Sequence, residues 1–183
     1  DIACFIDRSY PDLIGNLMYA LNTNNFLLSY DSNNPSAIRK AVPVTGITLN
    51  QAIVGMDFRP ATGALYALGY NSTTNESQLY TINVSTGAAT VVNAIPTILM
   101  LGGNNVGMDF NPVVDKIRVV GANNANYRLN TDGTLFFTDL NLNYGAADIN
   151  FGADPMIGAV AYTNSFAGTL TTALYDYDQM LNV

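Results

Sequence analysis

Fifteen residues beginning at Val54, VGMDFRPATGALYAL, align without a gap with fifteen beginning at Val106, VGMDFNPVVDKIRVV. A phrase written twice in a short chain constrains the fold more than any composition, because each copy must be one supersecondary unit. From Val54 the order reads strand, Arg59-Pro60 turn, strand, Asn/Ser/Thr loop, strand, STG turn, strand. From Val106 it reads strand, Asn111-Pro112 turn, strand, ANNA loop, strand, TDG turn, strand. Asp57 and Asp109 are 109 − 57 = 52 positions apart. Four short antiparallel strands in about 40–50 residues is the period of a propeller blade.

The flanks fit the same frame. Strand patterns occur at 17–21, 26–31 and 38–44, then in the first unit at 53–58, 64–70, 78–84 and 88–94. The second unit supplies 105–110, 116–121, 126–130 and 134–139, and the chain closes with 157–163 and 171–178. The expected fold is therefore all-β, a propeller-like arc of four-stranded antiparallel blades. Two blades are complete. Residues 17–44 form the last three strands of a third, and residues 157–178 the first two of another. Residues 9–16 read as a helical turn. Length predicts a single domain over 17–183, preceded by an N-terminal tail over 1–16 that is a candidate assembly segment.

Charge narrows the partners. Only 11% of residues are charged, against about 25% in an average protein. The polar surface must come from uncharged side chains, and the chain holds 23 Asn and 17 Thr. Asn tolerates the left-handed backbone of turns and Thr fits a pleated surface. The net charge is −7 with no basic patch, which argues against nucleic acid and against an anionic membrane. Apolar runs are too short and interrupted to insert in a membrane as a helix. The low-charge palette, free of His and Trp, points to a secreted or cell-surface protein. The one cysteine, Cys4, is either a small buried hydrophobe or an intermolecular link.

Chemistry is sparse. Without histidine the usual general base and metal ligand is missing, and no nucleophile elbow, P-loop or dinucleotide fingerprint occurs. In VGMDF, strand alternation puts Val54, Met56 and Phe58 on one face and Gly55 and Asp57 on the other. Gly55 and Gly107 would be small so that a neighbouring blade can approach. Asp57 and Asp109 have two readings. In the plainer one, each accepts backbone N–H groups of the turn its own strand enters. In the sharper one, they form an acidic ring that binds Ca2+ or a sugar, or a glycosidase-like dyad. Asp115, Arg118 and Arg128 could orient a polar ligand; alternatively the two arginines pair across strands with Asp115, Asp132 or Asp139.

The ordered motifs VGMDFRPATGALYAL, LYTINVSTGAATVV, GMDFNPVVDKIRVV, NYRLNTDG and AYTNSFAGTLTTALYDYD together resemble a bacterial family, domain of unknown function 4394. The resemblance runs from about Leu17 to about Asp178. It implies β-blades and export, and it supplies no catalytic residues. The expected function is a secreted, non-enzymatic structural protein without a required cofactor, whose copies join through edge strands into filaments or surface oligomers. The alternative is a monomeric extracellular module that binds carbohydrate or Ca2+ at the Asp57/Asp109 end of the blades.

Overall fold

The computed structural model describes residues 12–183; Cys4 and most of the expected tail lie outside them. Among the described residues there are fourteen strands and no helix, so the chain is all-β, and every sheet is antiparallel and open. It forms two compact units. One takes the described residues up to Thr45 together with Val84–Ala88, and the other takes Gly46–Asn83 and Ala89–Val183.

The first unit is a three-stranded sheet of β1 (Leu17–Leu21), β2 (Phe26–Asp31) and β3 (Asn34–Pro43), in that order. Leu27, Ser29 and Asp31 alternate as the buried side of the central strand. The Asp31 carboxylate accepts the N–H groups of Ile14, Gly15 and Asn33 at 2.8, 2.9 and 2.9 Å. That three-way bond replaces a helical hydrogen-bond ladder. Residues 12–16 are not helical, contrary to the turn expected over 9–16, whose first three residues lie outside the described part. Val84–Ala88 completes the unit, with Thr45 donating its N–H to Gly87 O and Lys40 Nζ to Ser85 O.

The second unit contains the duplicated phrase. Its first sheet runs β4 (Ala52–Phe58), β5 (Leu65–Asn71), β6 (Glu76–Ile82), β7 (Ala89–Val91), with β8 (Thr97–Ile98) also on β6. The second sheet is β9 (Gly107–Asn111), β10 (Lys116–Val120), β11 (Asn126–Leu129) and β12 (Leu135–Thr138). The third is β13 (Ile157–Tyr162) with β14 (Leu174–Asp178). Gly63 and Gly133 take the left-handed turn conformation, at φ 70° and 82°, where the ATG and TDG hairpin signals require it.

One strand was not foreseen. The strand pattern over 88–94 is cut short, because β7 stops at Val91. Buried Asn93 turns inward there. Its Oδ1 accepts the Leu79 N–H at 2.6 Å and its Nδ2 donates to Ile95 O at 3.0 Å. The side chain satisfies β6 midway, so β7 pairs with Tyr80–Ile82 and β8 with Glu76 and Ser77. The first sheet thus has five strands instead of the four expected.

The core lies between successive sheets of this unit. Leu68, Tyr70 and Leu79 from the first meet Met108, Phe110, Ile117 and Val119 from the second, all buried. Tyr66 and Phe110 contact edge to face with centroids 5.2 Å apart. Between the second and third sheets, Val120, Ile157 and Val160 form a smaller cluster.

Candidate functional site

The duplicated phrase lies on β4 and β9, the first strands of adjacent sheets, and it works across the gap between them. A Cβ added to Gly55 would stand 2.6 Å from Met108 Cβ, and one added to Gly107 would stand 2.8 Å from Val160 Cγ1. Both distances are shorter than any tolerable contact, so glycine is what lets the strands approach, as expected from the sequence.

Asp57 and Asp109 are half-buried. Asp57 Oδ1 accepts the N–H of Phe58 at 2.7 Å, and its Oδ2 accepts the N–H of Phe110 at 2.9 Å. Asp109 Oδ2 accepts the N–H of Tyr162 at 2.7 Å. Both cross-sheet bonds span 53 positions, one more than the sequence repeat. The plainer reading is therefore right about backbone acceptance and wrong about the donor. The N–H groups come mainly from the next sheet, because the glycine two positions earlier brings that strand within reach. The two carboxyls also influence each other across this junction. Burial raises the pKa of Asp57. Burial first, and then the Asp57 charge, push Asp109 up to about 7.

Asp115, Arg118 and Arg128 do not converge on this pair. Asp115 lies at the end of the β9–β10 turn with φ 52°, the position Gly63 holds in the first repeat. It makes a bidentate pair with Arg59: Nε to Oδ1 at 2.8 Å, and Nη2 to Oδ2. The Arg59 hydrogen bonds hold the Asp115 carboxyl below the usual range. Arg118 stands opposite Asp109 in register, yet its Nη1 reaches Asp139 Oδ2 at 2.6 Å and Asn126 Oδ1 at 2.5 Å. Arg128 reaches the same carboxylate through Nε and Nη2, both at 2.8 Å. Burial works against the ionised form of Asp139, but the two guanidiniums prevail and lower its pKa. Of the three carboxylates weighed as cross-strand partners for these arginines, Asp139 is the one used.

The profile of a family described as Domain of unknown function (DUF4394) matches residues 26–183. The chain belongs to that family. No curated protein matches the DUF4394 chain. Among solved structures, the crystal structure of Porphyromonas gingivalis dipeptidyl peptidase 4 resembles it with a TM-score of 0.37 and 12% identity. That likeness covers 85% of this chain and 22% of the peptidase.

Among the described residues of the DUF4394 chain, no three carboxylates gather in an arrangement that could hold a metal ion. At the Asp57/Asp109 end, three of the four carboxyl oxygens accept N–H groups. Two structural residues escaped the sequence reading. Asn93 carries no motif. Asp31 sits in a YDSNNP turn whose Asx signal was visible, although its distant donors Ile14 and Gly15 were not.

Proposed function

We propose that this DUF4394 chain is a secreted, non-enzymatic structural protein of propeller-like blades, whose copies join edge to edge. The observation that carries this reading is the state of the outer strands. Unprotected sheet edges recruit further strands, and proteins ordinarily guard them with Lys, Pro, shortness or cover. β3 carries Pro35, Arg39, Lys40 and Pro43, while β7 and β8 are three and two residues long. On β12, Lys116 Nζ stands 4.7 Å from the Phe136 ring and the Arg128 guanidinium 4.9 Å from that of Phe137. β14 has none of these guards. It pairs with β13 alone among the named strands, its sequence is LYDYD, and Tyr175 and Tyr177 are exposed. A sheet of two strands beside one of four invites completion by another copy.

Light scattering across concentration, with electron microscopy of the same samples, tests the reading. The wild-type chain is expected to grow into filaments or large rings. The double variant Tyr175→Lys, Tyr177→Lys should remain near the monomer mass of 19.6 kDa. A wild-type chain that stays monomeric at every concentration would overturn the proposal. The rival, a carbohydrate- or Ca2+-binding module, would have to use Asp57 and Asp109, three of whose four carboxyl oxygens already accept backbone N–H groups.

A further inference from the structure

Asp57 Oδ2 accepts the N–H of Phe110, the residue that follows Asp109, so the two carboxyls meet at one junction, and two neighbouring carboxyls cannot both be ionised without strong repulsion unless a cation stands between them. Here the neighbouring cations are engaged elsewhere. Arg59, two positions after Asp57, is bound to Asp115, and Arg118, opposite Asp109, is bound to Asp139. Lys116, at the far end of β10, is bound to Asn130 Oδ1. The titratable groups nearest the pair on the other strands are Tyr66 of β5, opposite Asp57, Tyr162 of β13 and Asp176 of β14. None of them carries positive charge.

The hydrogen-bond pattern shows where a single proton belongs. Asp57 receives N–H groups on both oxygens, the environment of an ionised carboxylate. Asp109 receives one N–H, on Oδ2. Asp109 is thus the member of the pair with an oxygen to spare for a hydrogen. We propose that Asp57 and Asp109 form a proton-operated clasp, closed while they share one hydrogen and loosened when both are ionised. In the closed state three sheets are tied in series: Asp57 to Phe110, Asp57 to Asp109, and Asp109 to Tyr162. The series stops at β13, where Ala161 occupies the position of the aspartates.

The direction of the pH effect follows from linkage. A carboxyl whose folded-state pKa stands above its unfolded value contributes stability that is complete below the unfolded value, 3.8. That contribution is lost as pH rises through the folded value, about 7 for Asp109. Carboxylates of the opposite kind set the acid limit. Hydrogen bonds from Asn33 and Ile14 lower the pKa of Asp31, the Arg59 bond that of Asp115, and the Tyr144 hydroxyl that of Asp178. Their contribution disappears as pH falls below about 4. The fold is therefore most stable in mildly acid solution.

Thermal unfolding of the wild-type chain and of Asp109→Asn between pH 5 and 9 tests the clasp. An asparagine at 109 accepts the Tyr162 N–H and donates to Asp57 as the protonated acid does, so it holds the clasp shut. The wild-type Tm should fall by roughly 4–8 °C between pH 5.5 and 8.5, the shift that a loss of about 2 kcal/mol gives at this size. The variant should show at most a third of that fall and should exceed the wild type at pH 8.5. Infrared spectra of the wild type give a second readout that needs no variant. A protonated-carboxyl band should persist at pH 6 and vanish by pH 9. A pH-independent wild-type Tm, the absence of that band at pH 6, or a variant that keeps the full wild-type pH dependence would each overturn the proposal.

Discussion

The two junctions of the second unit are built to one plan and finished differently. At each, a glycine admits the next sheet and an aspartate accepts the N–H one position further along it. The first junction adds an edge-to-face aromatic contact and the Arg59–Asp115 pair, and it encloses most of the large buried cluster. The second has three buried residues and no aspartate beyond Asp109. The repeated phrase supplies register and spacing, while the quantity of apolar burial behind it sets strength. Two junctions with the same polar device should thus differ in how much they resist unfolding.

The largest effect should come from removing apolar mass at the stronger junction. Phe110→Ala is expected to cost about 3–5 kcal/mol, measured by urea unfolding. Val160→Ala at the weaker junction should cost about 1–2 kcal/mol, since it deletes less from a smaller cluster. Equal losses would erase the distinction. Next come the glycines. Gly55→Ala and Gly107→Ala should each destabilise by about 1–3 kcal/mol through forced separation of the strands, and amide exchange should quicken at Phe110 in the first variant and at Tyr162 in the second. A variant as stable as the wild type would show that its junction is looser than described. The smallest effect belongs to Asp115. Asp115→Gly restores the residue type of Gly63 at a left-handed position and gives up a half-buried ion pair, two terms of about 1 kcal/mol each that oppose each other. A net change within about 0.5 kcal/mol is expected, with Asp115→Ala clearly worse. If Asp115→Gly were as harmful as Asp115→Ala, the ion pair would outweigh the backbone preference.

These contrasts also explain what the sequence could tell. The strands of both repeats were legible because alternation and Gly-centred turns are local signals, and Gly55 because repetition marked it. The partner of Asp57 was not legible, because an acceptor side chain carries no address. Its own turn and a strand 53 positions away were equally compatible with VGMDF, and the closeness permitted by glycine decides between them. Arg118 and Arg128 pointed to a nearby acid without saying which. β8 was hidden because it depends on one buried amide, Asn93, that no period or turn rule singles out.

The 53-position span of the aspartate bonds has a consequence for synthesis. The chain leaves the ribosome from its N-terminus, and domains form as they emerge. Asp57 and its sheet are therefore exposed well before the N–H of Phe110 exists. In that interval the carboxylate has its own Phe58 N–H on Oδ1, so Oδ2 remains presented to the next arrival. The first two sheets of the second unit are thus each born with a docking point for the next, and the duplicated phrase directs their assembly in the order of translation.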